Sequence, residues 1–546
     1  MSGQSSLETK AQLDKSEREH LEDVVTNLRE TVEADIRYQL EYTYELDHEN
    51  GGQDLAGEEA ETRTELVKAV EREDGDKSWE DKFEQYVMGV GYTVVNRLTA
   101  LRCMEVRGFI DRPVTQFGDS GTTPAAEKLE NEQYLSPDEA KIQAYDEACR
   151  RLADEIEILF DLKSPYSIVD PDVDAFEDLC QQLDDVPTEV WRADDVLGWV
   201  YEYYNRPLVE ALDAKNTLEP DDVGPANQFY TPHWVVRMLA DNSLGKLYLE
   251  ATGQESSVPG SESLSVEERK NRLVTPEESP DIPNLSTYLI PDDEPQDAPS
   301  FDDPSEIRVI DPACGSGHFL LYAFDILERI WWAERPDLDR GEIPAKILEH
   351  NLYGVDIDLR SCQLAAFNLY LKARTRAEEE GIGDFEMPNV NIVCADARVA
   401  EVEEAIEVLD QITGEGTRVR EALDEIITEF QTTEALGSLL DVQGMLSDEF
   451  MQEQTDLMRW NEDGPHTLNA FLKQLEEAVE ERTSDTFGEQ DLRSFLNLLV
   501  VLTQDYDVAL MNPPYGSGGR MPDGVQEYVD EHYKYTTEYS VHHKAG

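Results

Sequence analysis

Basic residues are scarce in this chain of 546 residues, which carries 46 Lys and Arg against 119 Asp and Glu, a formal charge of −73. Nucleic-acid binding normally draws on a basic face, and charge alone offers none here. Cysteine is scarce too. The six residues Cys103, Cys149, Cys180, Cys314, Cys362 and Cys394 are scattered, with no CxxC pair. That spacing suggests neither a zinc site nor a disulfide framework. Long apolar runs are missing, and nothing approaches the ~20 residues of a membrane span. The polar start MSGQSSLETKAQLDKSEREH lacks the apolar segment of a signal peptide. A cytoplasmic protein with no membrane contact is expected.

What is present is an ordinary apolar fraction of 40%, enough for a large core. The acids lie in segments that also carry regular apolar spacing. Such a pattern fits a globular protein of a salt-accumulating, halophilic cytoplasm better than a disordered acidic one. Molar salt shortens the screening length to ~3 Å and hides the repulsion. Net charge then says little about partners.

Along the chain the texture changes once. Val24, Leu28, Val32 and Ile36 recur at helical spacing. The stretch 47–65, DHENGGQDLAGEEAETRTE, reads as a loop. From Trp79 to Ile110 apolar residues recur every three or four positions, and further helices are expected at 138–162, 173–183 and 194–214. Residues 1–215 therefore read as a mainly helical N-terminal domain. Residues 250–306 are rich in Ser, Pro, Asp and Glu, the composition of a solvated linker or insertion. Beyond them short apolar strands (IRVIDPA, NLYGVDID, VNIVCADA, YDVALMN) alternate with helices. That alternation predicts an α/β unit with a parallel, doubly wound sheet over 216–546, interrupted by a helical acidic insertion at 400–500.

Four strings at these strand ends can carry chemistry. In Asp311-Pro312-Ala313-Cys314-Gly315-Ser316-Gly317, a strand gives way to a small-residue turn and a helix, where backbone can approach a ligand and unpaired N–H groups point outward. A bare Gly-x-Gly turn is weak evidence, and the whole string is far more specific. Asp356, with Ile357 behind it, ends the second strand, where an acid can accept from both hydroxyls of a ribose. A surface acid is the plain alternative in so acidic a chain. Asp396 follows the third strand and could accept from an exocyclic amine. Asn512-Pro513-Pro514-Tyr515 follows the fourth. There an amide oxygen and a stiffened carbonyl can both accept from an amino group, and Tyr515 can stack on a planar base. Pro-Pro-Tyr is otherwise a plausible turn or peptide ligand.

Together these strings resemble motifs I, II, III and IV of amino-methyltransferases that use S-adenosylmethionine. Gln228-Phe229-Tyr230-Thr231-Pro232 is similar to motif X, which precedes motif I in the gamma-ordered adenine-N6 class. The order X, I, II, III, IV is intact over about 226–516. In the front, Asn96 to Glu105 and Leu197 to Asn205 resemble the N-terminal region of the PglX methyltransferases of BREX phage-defence systems.

The resemblance implies a Rossmann-like methyltransferase sheet behind a helical domain, with S-adenosylmethionine as cofactor and double-stranded DNA as partner. It implies that Tyr230, Thr231 and the backbone of Asp311, Pro312, Ala313, Cys314, Gly315 and Gly317 hold the methionine part. Asp356 would bind the ribose, Ile357 would pack on adenine and Asp396 would accept from its amine. Asn512, Pro513, Pro514 and Tyr515 would hold a target adenine flipped out of the duplex. Transfer is direct, so Cys314 is expected to be a small turn residue and not a nucleophile. The family's sheet has seven strands, and only four are recognisable. The expectation is an incomplete sheet, truncated after motif IV. A second chain supplying the missing half, or other phage-defence subunits, would then be a partner. Rival readings are a remnant or split-enzyme subunit that binds cofactor without turnover, and a protein-glutamine methyltransferase, which shares Asn-Pro-Pro-Tyr.

Overall fold

The computed structural model describes residues 12–49, 51–52, 55–73, 77–118, 120–155, 160, 164–215, 231–252, 288–289, 300–383, 385–395, 423 and 497–512. Most of the 250–306 and 400–500 stretches lies outside them.

The front is helical. Helix α1 (Lys15–Tyr38) starts at Asp14, whose side chain accepts from the Glu17 N–H while the Glu17 carboxylate accepts from the Asp14 N–H. Such a reciprocal cap contributes about 1 kcal/mol. Its stripe Leu21, Val24, Val25, Leu28, Val32 and Ile36 is fully buried. Helix α2 (Glu58–Glu71) occupies the second half of the expected loop. Gly57, at φ 65°, marks where the turn ends. The acid-rich first turn hides the helix from a reading of polarity, since only Leu66, Ala69 and Val70 are buried apolar anchors. Helix α3 (Trp79–Val106), capped by Ser78, is buried almost all round from Gly89 onward and forms the axis of the front. Around it stand α4 (Pro124–Gln133), α5 (Pro137–Glu155), α6 (Val173–Asp184), the single turn α7 (Thr188–Trp191) and α8 (Val196–Asp213). Helices α1 and α8 both pack on α3.

Helices α9 (His233–Ala240) and α10 (Lys246–Thr252) lead to the sheet. Strand β1 (Val309–Asp311) is followed by α11 (His318–Glu334) and α12 (Ile343–His350). Strand β2 (Leu352–Asp356) is followed by α13 (Leu359–Glu379), then come β3 (Asn391–Cys394) and β4 (Val508–Ala509). All pairings are parallel, in the order β3-β2-β1-β4. Parallel neighbours need crossover connections, and α11 and α12 supply one between β1 and β2 and α13 one between β2 and β3. The chain is thus an α/β protein with a helical N-terminal part. One continuous apolar core runs from Leu21 and Val32 through Tyr201 and Phe324 to Phe367. No described helix is long and apolar enough to cross a membrane.

Strand order reverses at β1, with β2 on one side and β4 on the other. Ligands of such sheets bind outside the carboxyl ends of the strands at that reversal. Asp311 ends β1, Asp356 ends β2, and Asn512 follows β4 by three residues, so all three lie on that edge.

Candidate functional site

The turn after β1 is held by its own acid. Asp311 is fully buried, and one of its carboxylate oxygens accepts from the Ala313 N–H at 3.1 Å. The other oxygen, Oδ2, has no partner among the described residues. Burial pushes the Asp311 carboxyl well above its ordinary range, and nearby Asp356 pushes the same way. The Cys314 N–H donates to the Val355 carbonyl at 2.9 Å, and the Gly317 N–H closes the turn onto the Cys314 carbonyl at 2.8 Å. Gly315 (φ 52°) and Gly317 (φ 85°) take left-handed conformations that side chains rarely adopt. A Cβ on Gly317 would also lie 3.1 Å from the Ala365 Cβ, whereas one on Gly315 would meet nothing within 4 Å. The loop is therefore tight beneath and open above.

Helix α11 starts at Gly317 with no side-chain cap on its first turn. That leaves N–H groups available to a ligand.

Asp356 is half-buried and faces this loop. Its Oδ2 accepts from the Gly315 N–H at 2.9 Å and its Oδ1 from the Asp358 N–H at 2.9 Å. Burial raises its carboxyl to about 6, against the pull of the Asp358 N–H. Each oxygen keeps a further lone pair for a ligand hydroxyl. Ile357 is half-buried beside it.

Across the reversal, β4 is locked to β1. The Leu510 N–H donates to the Ile310 carbonyl at 2.8 Å, and the Arg308 N–H donates to Asp507 at 2.9 Å. This carries Asn512 past the end of β1. Its side-chain N–H donates to the Thr231 hydroxyl at 3.0 Å, across 281 positions of sequence. The amide oxygen of Asn512 is then left as the acceptor. The structure thus joins Thr231 to Asn512 on one side of β1 and Asp311, Gly315 and Asp356 on the other. Tyr230, Asp396, Pro513, Pro514 and Tyr515 lie outside the described residues.

Two histidines escaped the reading of motifs. His233 and His318, the first residues of α9 and α11, stack at 5.5 Å, with ring nitrogens 3.3 Å apart. Burial drives both below the ordinary histidine range, His318 to about 3, so the pair is neutral. They face a small cleft with Asp194, Asp325 and Lys372. Each is placed next to a recognisable motif, which is the signal that could have found them.

The residues fit an S-adenosylmethionine-like ligand. Asp311 offers an unmatched buried acceptor, Gly315 leaves open space, and Asp356 presents a carboxylate at the strand end. Among the described residues no group of three or more His, Cys, Asp or Glu side chains could hold a metal ion.

The part of the chain that carries the sheet is similar to known families. Residues 297–389 match the N-6 DNA Methylase family, and residues 350–543 match the Eco57I restriction-modification methylase family. The adenine-specific methyltransferase BrxX of Escherichia coli O9:H4 (strain HS) is 26% identical over 83% of this chain and 38% of its own length. The adenine-specific methyltransferase PglX of Lacticaseibacillus casei (strain Zhang) is 24% identical over 88% of this chain and 40% of its own. Over most of its length the chain is thus similar to proteins named adenine-specific methyltransferases. A putative type II restriction enzyme and methyltransferase of Methanocaldococcus jannaschii is 26% identical over a shorter stretch, 40% of this chain and 18% of that protein. The chain spans about two fifths of the length of its PglX and BrxX relatives.

Proposed function

We propose that this chain carries the cofactor site and target-amine site of an S-adenosylmethionine-dependent DNA adenine-N6 methyltransferase, working in phage defence or restriction–modification in the cytoplasm. In this reading residues 216–546 are the methyltransferase unit and 1–215 a helical unit docked on it. The observation that carries the reading is the hydrogen bond between Asn512 and Thr231. It ties the segment after β4 to the segment before α9 at the carboxyl edge, beside the acids of β1 and β2.

When bound, the cofactor supplies an electrophilic methyl group on a sulfonium. The chain's own residues bind and orient. Asp311 accepts from the ligand's amine, Asp356 accepts from ribose hydroxyls, Ile357 packs on the cofactor's adenine and Asp396 accepts from its amine. Asn512, fixed through Thr231, keeps its amide oxygen for the target amine. With the Pro513 carbonyl it makes two acceptors that align the nitrogen lone pair, and Pro514 stiffens the segment. Tyr515 stacks on a base flipped from double-stranded DNA. Positioning of this kind supplies much of the acceleration in a direct transfer.

The test is Asn512→Ala, assayed with a C-terminal part like that of the longer relatives supplied. Incorporation of labelled methyl groups into DNA should be abolished, while S-adenosylmethionine affinity by isothermal titration stays near that of the unsubstituted chain. Methylation at an unchanged rate would remove Asn512 from the site. A folded, unsubstituted chain that does not bind the cofactor would overturn the whole reading.

A further inference from the structure

The ribose acid is not held by the sheet alone. The Asp356 Oδ1 is fixed by the Asp358 N–H at 2.9 Å, so the position of Asp358 sets where the acid points. Asp358 caps α13, with its Oδ1 accepting from the Arg360 N–H at 3.1 Å. Its Oδ2 accepts from the Tyr201 hydroxyl at 2.7 Å. That hydroxyl accepts in turn from the Ser361 hydroxyl at 2.7 Å. Tyr201 belongs to α8, in the helical front, 157 positions away from Asp358. Its ring meets Tyr92 of α3 edge-on, with centroids 5.8 Å apart, and the Arg360 guanidinium lies 5.2 Å over the Tyr92 ring. Two front helices therefore clamp the segment that carries the ribose acid.

We infer that Tyr201 is a positioning residue for the cofactor site. Its hydroxyl holds Asp358 so that Asp356 is aimed at the ribose, and the helical front thereby completes the site. This rests on the cofactor reading given above. The physical ground is preorganisation, since a carboxylate that must search for its partners gives back part of each hydrogen bond as ordering cost. Burial keeps the Tyr201 hydroxyl protonated far above the ordinary tyrosine range, so it stays a donor at every working pH.

The experiment is isothermal titration of the chain and of Tyr201→Phe with two ligands: S-adenosylhomocysteine and its analogue lacking both ribose hydroxyls. The substitution removes one oxygen and keeps the ring. S-adenosylhomocysteine should bind about tenfold more weakly to Tyr201→Phe, the cost of a loosened charged hydrogen bond. The dihydroxyl-free analogue should bind both proteins equally. Ser361→Ala, which removes a donor to the same hydroxyl, should show the same selective loss at smaller size. Equal losses for both ligands, or no loss for either, would overturn the inference and leave the cofactor site standing. A thermal melt of each variant reports whether the fold has changed. If Tyr201→Phe melts early, Ser361→Ala alone decides by the same ratio between ligands. An unsubstituted chain that binds neither ligand would overturn the cofactor reading and this inference with it.

Discussion

Glu105 in the helical front and Asp311 at the end of β1 are both buried acids, and burial pushes both carboxyls upward. Their surroundings differ. Glu105 accepts from the Val114 N–H at 2.6 Å, the Thr115 N–H at 2.9 Å and the Thr115 hydroxyl at 2.7 Å. Arg102 stands 3.7 Å away and is itself tied to Thr115 and Asp184. Asp311 accepts from one N–H, and its other oxygen has no partner among the described residues. An acid with both oxygens answered by the protein serves the fold. An acid with one side unanswered among the described residues, beside glycines held at positive φ, has room for a further donor, as the proposed cofactor site requires.

Glu105→Ala should have the largest effect. Removing it strands the buried Val114 and Thr115 N–H groups and the Thr115 hydroxyl, and each unsatisfied buried donor costs about 1–3 kcal/mol of stability. Chemical denaturation measures this, and a loss under 1 kcal/mol would erase the contrast. Asp311→Asn should do the reverse. Stability should hold, because the carboxyl has little to lose, while S-adenosylmethionine affinity falls by about 1.5–3 kcal/mol, the worth of hydrogen bonds to a charged group. Titration calorimetry beside a melt separates the two. A variant that melts early yet binds normally would make Asp311 another Glu105.

The smallest effect is on pH. Asp356, raised to about 6, is protonated in the free chain below that value, whereas ribose donors favour the carboxylate. Binding below pH 6 must release a proton from Asp356, so affinity should fall beneath that value by about tenfold per unit. Asp356→Asn should flatten that slope. A slope that survives the substitution would assign it to another group.

Much of this was legible in the sequence. Strands ending in Asp311, Asp356 and Cys394 announce themselves as short apolar runs stopped by small or acidic residues. Their crossover helices follow from apolar spacing. The front helices around Trp79, Val173 and Val196 were equally plain. Helix α2 was not, since its acids resemble a loop and its apolar face is only three residues deep. What the chain brings together from afar left no local mark. Nothing near Tyr201 announces Asp358, and nothing near Thr231 says that its hydroxyl meets Asn512. Contacts across 157 and 281 positions depend on how helices stack and strands order, and periodicity reads only what lies within a few turns.

The pairing of β1 with β4 also sets a timetable. Val309 meets Val508 in the finished sheet, yet about 200 residues separate them on the ribosome. At roughly 5–20 residues per second, β1 emerges with one edge bare for something like 10–40 s before its neighbour exists. Through that interval its free N–H and C=O groups are open to any passing strand. The β1 edge is thus open to mispairing in the window between synthesis of β1 and arrival of β4.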